Sequence, residues 1–469
     1  MIHVINSNSP LSQPASRLAV LCYVCLHSLM PFHQVHSRDA ATWATLCPEI
    51  TYEILTYCLS GVTLSTNAPG SFPWYLGHIC RSWRSVFVSS PRFWDHFSFE
   101  FRRLEEKSLI QRAQALVELC IERTKDHPFS FKFRVILLPI IVQLSPLLET
   151  LLAHADRWRD ACLIANENEL KKSLTKAKCR FGQLHSLQIN NIGYATRGSR
   201  PVSIPSDVFQ DAPNLTRVWA NHYYQLPWST LAVLHVDVSR STHEFFENLH
   251  KMTCLEELVI GGSRIHPNAM ANTSPIELPS LRILSIDQFP LGLHMKTPAL
   301  ERLYLGRARA ALHTTLTLLP GVCNLKTLSF YLHNVPNARV FELTPELDHL
   351  ILFCEDPISP EAFHSLLQPL ASHSTAYSLT RISVCVVVPD FDYLEPSYPD
   401  ISIMHVLSAV IKSWEKHQFP KLRFVSVYVN DDGSDGTTSA IADLMRVGAD
   451  KGFEIEINSS PLPTMLPFW

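Results

Sequence analysis

Leu255-Glu256-Glu257-Leu258-Val259-Ile260, Leu281-Arg282-Ile283-Leu284-Ser285-Ile286 and Leu300-Glu301-Arg302-Leu303-Tyr304-Leu305 are three copies of one frame, L-x-x-L-x-L. It also stands at Leu184-Leu187-Ile189, Leu215-Val218-Ala220, Leu231-Leu234-Val236, Leu325-Leu328-Phe330 and Leu347-Leu350-Leu352. Weaker copies are Leu379-Ile382-Val384 and Leu422-Val425-Val427. Starts from Leu231 to Leu347 lie 24, 26, 19, 25 and 22 residues apart, and the intervals then stretch to 32 and 43. A proline often stands two residues before the first leucine: Pro213, Pro279, Pro298, Pro345, Pro420. Self-similarity at such a period marks stacked repeats, each too small to bury its apolar face alone. The alternating half of the frame is a strand whose inward residues stack on the next repeat. The residues between copies return as helix or irregular turn.

This pattern resembles leucine-rich repeats of a degenerate kind. A regular asparagine after the last apolar position is missing, and Asn190, Asn191 and Asn430 are the nearest instances. The fold expected is α/β, a leucine-rich-repeat-type solenoid with a curved parallel sheet over 181–469, preceded by a small three-helix domain. An ordinary parallel-sheet α/β domain is the alternative, and ten copies of one frame argue against it. Late repeats carry insertions such as Pro389 to Pro399, and Pro461 to Trp469 is read as a cap or a loose end. If the second leucine and the residue two on point inward, their neighbours point to the concave face. Those are Arg217, Trp219, Asn221, His235, Asp237, Arg302 and Tyr304, then Tyr331, His349, Phe353, Phe424 and Tyr428. Trp219, His235, Arg302, Tyr304, Tyr331, Phe353 and Tyr428 are the candidate target-binding residues, because aromatics and Arg supply most interface energy.

Upstream, 101–180 reads as the helix–strand start of the solenoid. Leu109, Ile110, Ala113, Leu116, Val117, Cys120 and Ile121 line one helical face. Phe129 to Val135 alternates as a strand, Ser145-Pro146 opens a helix carrying Leu147, Leu148, Leu151 and Leu152, and a short strand follows Trp158 around Ala161 to Ala165.

Residues 43–100 read as three short helices. Leu46-Cys47-Pro48-Glu49-Ile50 opens the first, with proline suited to the first turn and Glu49 at the positive end of the dipole. Ile50, Ile54, Leu55, Cys58 and Leu59 follow at helical spacing, and Gly61 is a natural stop. The second helix carries Leu76, Ile79, Cys80, Trp83, Val86 and Phe87 on one stripe. Ser89-Ser90-Pro91 is expected to cap a third carrying Phe93, Trp94 and Phe97. Residues 1–42 are read as poorly ordered or a short helix.

The order LCPEI, HICRSWRSV, SSPRFWDHF resembles the F-box, most closely the F-box-like domains of fungi, over about 55 residues. HADRW-RD at 154–160 is similar to a stretch that commonly follows that domain in the fungal family. The family usually has proline where Cys47 stands, and the segment from Ser60 to Trp74 is longer than in compact versions. The resemblance implies docking on a Skp-type adaptor and, through it, a cullin. By matching position Leu46, Pro48, Ile50, Ile54 and Leu55 lie at or near that contact. The alternative is a helical unit that only caps the repeats of a protein-interaction scaffold.

Composition bounds the partners. The chain has 469 residues, 46% hydrophobic and 18% charged, ample for a buried core. Forty basic against forty-three acidic residues give a formal charge of −3, so no footprint for nucleic acid or an anionic membrane is present. Thirty-two prolines against fifteen glycines fit a chain of short, interrupted elements. Twelve cysteines follow no disulfide framework, and Cys22-x-x-Cys25 lacks a second metal-ligand pair. Leu18 to Met30 imitates a signal segment but is too short to span a bilayer. Asn214-Leu-Thr, Asn272-Thr-Ser and Asn458-Ser-Ser match the glycosylation sequon, a pattern that arises easily by chance. A cytoplasmic or nuclear location is the simpler reading.

No phosphate loop, dinucleotide fingerprint or nucleophile elbow occurs. His243-Glu-Phe-Phe-Glu247 puts glutamate where a zinc helix needs its second histidine. Asp431-Asp-Gly-Ser-Asp435-Gly436 has Ala442 where a calcium loop needs glutamate. No metal, cofactor or intrinsic active site is expected. The reading is a non-catalytic substrate receptor of a ubiquitin ligase, its repeats presenting a strand surface to a target protein.

Overall fold

Seven copies of the frame enter their strands through the same tight turn. The first leucine's N–H donates to the carbonyl three residues back at Leu184, Leu215, Leu255, Leu281, Leu300, Leu325 and Leu347, over 3.0–3.3 Å. The next two N–H groups then share one carbonyl of the preceding repeat. Glu256 and Glu257 donate to Ala232, Arg282 and Ile283 to Glu256, and Glu301 and Arg302 to Arg282, all within 2.8–3.0 Å. Lys326 with Thr327, Asp348 with His349 and Thr380 with Arg381 continue the series. These are findings of a computed structural model. It describes residues 46–59, 64–65, 79–101, 107–135, 145–165, 180–191, 207–221, 223–238, 242–261, 275–287, 293–306, 322–331, 339–354, 378–386, 423–429 and 454–458, with a few isolated positions besides. The readings of 1–42 with Leu18–Met30 and the Cys22/Cys25 pair, of Gly61, Leu76 and Asn272, and of 389–399, 431–436 and 461–469 lie outside the described residues.

The chain is α/β and forms two compact units that divide between Thr230 and Leu231. In the first, β1 (Leu64–Ser65), β2 (His96–Phe101), β3 (Phe129–Val135), β4 (Trp158–Ala165), β5 (Ser186–Asn191) and β6 (Arg217–Ala220) pair in parallel and in chain order. Helix α1 (Pro48–Leu59) precedes β1 in sequence, and α2 (Arg81–Ser89), α3 (Lys107–Thr124) and α4 (Ser145–Ala153) lie between successive strands. In the second, β7 (Val233–Asp237), β8 (Glu257–Gly261), β10 (Ile283–Ile286), β12 (Arg302–Leu305), β13 (Thr327–Tyr331), β14 (His349–Cys354), β15 (Arg381–Val386), β16 (Phe424–Val429) and β17 (Glu454–Asn458) do the same. A two-stranded parallel pair, β9 (Ile276–Glu277) with β11 (Met295–Lys296), forms on the returning segments. Among the described residues that unit also holds helices α5 (Thr242–Leu249) and α6 (Arg339–Leu343).

Register explains why the frame must repeat. Leu258, Leu284, Leu303, Leu328, Leu350, Ile382 and Val425 are successive cross-strand partners, so one row of side chains runs through the second unit. All are buried, as are Leu255, Leu281, Leu300, Leu325, Leu347 and Leu379, the described first leucines beneath them. Each buried leucine contributes roughly 1.5–3 kcal/mol, and none of it is available to a lone repeat. The first unit fills the same layer with rings. Phe97, Phe131, Trp158, Phe181, Phe209 and Tyr224 follow one another with centroids 4.8–6.3 Å apart. Ala113, Val117, Cys120 and Ile121 of α3, and Leu147, Leu148, Leu151 and Leu152 of α4, are buried as their spacing predicts.

The third helix expected around Phe93, Trp94 and Phe97 is not there. Pro91–Phe93 makes a single 3-10 turn, and Phe97 lies on β2, fully buried. The cause is a device that occurs twice. Trp94 donates its indole N–H to the Phe87 carbonyl (2.9 Å), and Trp158 donates to Leu151 (3.1 Å), each seven residues back. A helix, a 3-10 turn, a buried tryptophan and a strand follow in that order both times. The sheet therefore starts within 43–100, and β2 crosses the expected boundary at 100.

A polar ladder ties the turns together. Asn214 donates to the Gly182 carbonyl (2.7 Å), Ser280 to Thr253 (3.1 Å), Asn324 to Pro298 (3.1 Å) and Ser378 to Pro345 (2.8 Å). In each case the residue before the first leucine reaches the turn of the preceding repeat. Close stacking also fixes Gly306, whose N–H donates to Ile286 (2.8 Å). A methyl group there would come within 2.6 Å of the Asp287 Cα. Gly306→Ala is expected to cost about 1–3 kcal/mol through overpacking, read as a lower chemical-denaturation midpoint. An unchanged midpoint would show that β10 and β12 do not approach so closely.

Candidate interaction site

Helix α1 has two apolar stripes. Thr51 and Leu55 are completely buried, while Tyr52 packs on Phe93 with ring centroids 5.3 Å apart. The other stripe falls at Ile50, Ile54 and Tyr57, spaced i, i+4, i+7, and is open. Ile50 is 50% and Tyr57 54% exposed, the exposed large hydrophobics among the described residues. Ile54 and Leu46 are half-buried and Pro48 is exposed. Of the five expected adaptor contacts, Leu55 is a correction: its side chain belongs to the core and offers nothing to a partner. Tyr57 was missing from the expected set, although its place two turns after Ile50 would have put it there. A backbone hydrogen bond at the helix start, helped by Cys47, holds the Glu49 carboxyl below its usual range.

The stripe stands on a tight support. Trp83, Val86 and Phe87 of α2 are buried, as expected of its apolar face. Ser90 Oγ closes the helix onto the Val86 carbonyl at 2.7 Å. The Arg123 guanidinium lies 4.1 Å over the Trp94 ring, and Phe87 packs on Trp94 at 5.1 Å.

The strand surface differs between the units. In the second, four expected target contacts are buried: His235, Tyr304, Tyr331 and Phe353. Tyr304, Tyr331, Ile351, Phe353 and Cys385 form an apolar cluster on the strand face opposite the leucines, and Tyr331 and Phe353 stack at 5.2 Å. This corrects the expectation that this face lies open at those positions. Alternation tells which residues share a face and is silent on whether anything covers it. Arg302 is exposed, and the Tyr428 side chain lies outside the described residues. His235 Nε2 meets Glu257 Oε1 at 2.7 Å, and that hydrogen bond is the main cause holding the Glu257 carboxyl below its usual range.

In the first unit the corresponding rows are polar and accessible. Lys132, Cys162, Gln188 and Trp219 are successive partners on β3 to β6. Lys132 is exposed, and Cys162, Gln188 and Trp219 are half-exposed. A shallow groove of about 200 Å³ beside this row is lined by residues including His96, Ser130, Lys132, Asp160 and Ser186. Its polar groups are tied to one another: Ser130 Oγ donates to Asp160 (2.6 Å), and Arg159 Nη2 lies 3.0 Å from His96 Nε2 and 3.2 Å from Ser130 Oγ.

Among the described residues no group of three His, Cys, Asp or Glu comes together to hold a metal, and no helix is long and apolar enough to cross a membrane. Neither a scan against protein-family models nor a search of curated proteins finds a match for this chain.

His349 gives a pH test of the second unit. Its Nε2 lies 2.8 Å from Ser383 Oγ. Burial, then Arg381, pushes the imidazole down from 6.5 to about 4. The unfolded chain therefore takes up the proton first. Stability is full above pH 6.5 and declines from there toward pH 4. Between pH 7 and 4.5 the loss assigned to this group is about 2 kcal/mol. His349→Asn should remove that part of the decline in urea-unfolding midpoints. Identical pH profiles would show the imidazole to be solvated.

Proposed function

We propose that the chain is the target-receptor subunit of a Skp-cullin-F-box ubiquitin ligase, with α1 docking the adaptor and the strand surface holding a target protein. The observation that carries the reading is the open stripe of Ile50, Ile54 and Tyr57 on a helix whose opposite stripe is already buried. An apolar stripe beyond the needs of its own core is what a partner helix or groove covers. The resemblance of LCPEI and HICRSWRSV to the F-box supplies the partner's identity. The receptor would itself be non-catalytic and act by concentrating a target near the ubiquitin donor. The described cysteines are free thiols, which suits action in the cytoplasm or nucleus.

A second reading, a protein-interaction scaffold with a helical cap, is favoured by one observation. The SSPRFW segment belongs to the helix–turn–Trp–strand device that starts the sheet, so α2 has a structural task of its own. The two readings separate at Ile50. An exposed site tolerates substitution within about 0.5 kcal/mol, so Ile50→Asp should leave the melting temperature unchanged. It should cost about 2 kcal/mol or more of adaptor binding, as central apolar contacts do, read by co-purification and calorimetry with a Skp-type adaptor. Undiminished binding by the folded variant, or none by the parent chain, would favour the scaffold.

A further inference from the structure

The open strand surface of the first unit has uncompensated positive charge at two places. Arg134 pairs with Glu100 (3.5 Å), and Arg159 with Asp160 (3.3 Å) and Asp95 (3.8 Å). Lys132 and Arg217 are exposed and have no ion-pair partner among the described residues. Lys132 stands on β3 and Arg217 on β6, three strands away. Parallel strands lie about 4.8 Å apart and advance about 3.3 Å per residue. Arg217 is level with Ser130, two residues before Lys132. The two positions therefore lie about 14 Å apart across the strands and about 7 Å along them, roughly 16 Å in all. Level with Lys132 lie Cys162, whose thiol donates to the Gln188 amide oxygen at 3.2 Å, then Gln188 and the half-exposed Trp219 indole. Level with Arg217 lie Ser186 and Asp160, whose carboxylate is paired with Arg159.

We propose that this surface binds an extended acidic segment of a target protein, laid obliquely across β3 to β6 with one carboxylate on Lys132 and a second on Arg217. An extended chain advances about 3.3 Å per residue and alternates its side chains. Carboxylates at i and i+4 are therefore about 13 Å apart and on one side of the segment, and the long Lys132 and Arg217 side chains span the remaining roughly 3 Å. Cys162 and Gln188 are neutral and Asp160 is already paired with Arg159 and Ser130, so the middle suits uncharged residues, with Trp219 as the apolar contact. The proposal shares with the receptor reading only that the chain binds a target protein, and it places that target on the first unit instead of on the buried aromatics of the second.

The test uses the full chain and fluorescein-labelled decapeptides, read by anisotropy. One carries two glutamates at i and i+4, one carries them at i and i+1, and a control has glutamine at both positions. The i,i+4 peptide should bind at least threefold tighter than the i,i+1 peptide, and the glutamine control should not bind. Lys132→Glu and Arg217→Glu should each weaken binding about tenfold at unchanged melting temperature, and salt should weaken it further. If either reversal lowers the melting temperature, Lys132→Gln and Arg217→Gln should weaken binding about threefold. No binding of the i,i+4 peptide, no preference for its spacing, or no effect of the variants overturns the proposal. Equal binding of a short oligonucleotide of the same charge also overturns it, since that would be unselective attraction of polyanions. Adaptor capture is measured on the same preparations. Capture without peptide binding defeats this proposal alone, and peptide binding without capture defeats only the adaptor reading.

Discussion

One carbonyl receiving two N–H groups from the next repeat is the constraint on which the structure depends. Ala232, Glu256, Arg282, Glu301, Lys326 and Asp348 each play this part. A buried peptide group without a partner is costly, so a strand of this sheet cannot be left without its successor. The sharing fixes where each strand starts relative to the last. That in turn keeps Leu258, Leu284, Leu303, Leu328 and Leu350 in one row. The intervals between copies can then vary widely. Only the entry turn and the strand must repeat, and the returning segments absorb insertions.

The helical start of the chain obeys the same logic with different residues. Trp94 and Trp158 each hold a strand against the helix before it by an indole hydrogen bond. The core beside them is aromatic, where the later repeats use leucine. Helix α1 uses one stripe for packing and leaves a second open. Surface that a fold does not need for itself is where a binding function is most economically placed, and the polar row from Lys132 to Trp219 is the other instance here.

The leucine frame was legible because its signal is local: a turn three residues before a period-2 strand. The helices with Leu147, Leu148, Leu151 and Leu152, or with Trp83 and Phe87, were legible for the same reason. Phe97 was misread because Phe93, Trp94 and Phe97 satisfy helical spacing as well as they satisfy a turn followed by a strand. The indole hydrogen bond that decides the matter spans seven residues and leaves no periodic trace. Tyr304, Tyr331 and Phe353 were placed on the correct face and wrongly held to be open, since burial there depends on neighbours remote in sequence. The ladder of Asn214, Ser280, Asn324 and Ser378 leaves no sequence signal because its partners are main-chain carbonyls of another repeat.

On the receptor reading proposed above, the open stripe of α1 is the face that docks the adaptor. Hydrogen–deuterium exchange of the full chain, alone and with a purified Skp-type adaptor, tests it most directly. Docking through α1 should slow exchange in peptides covering 46–59 and leave exchange in the strands of the second unit unchanged. Protection confined to other segments, or no change at 46–59 under saturating adaptor, would contradict it.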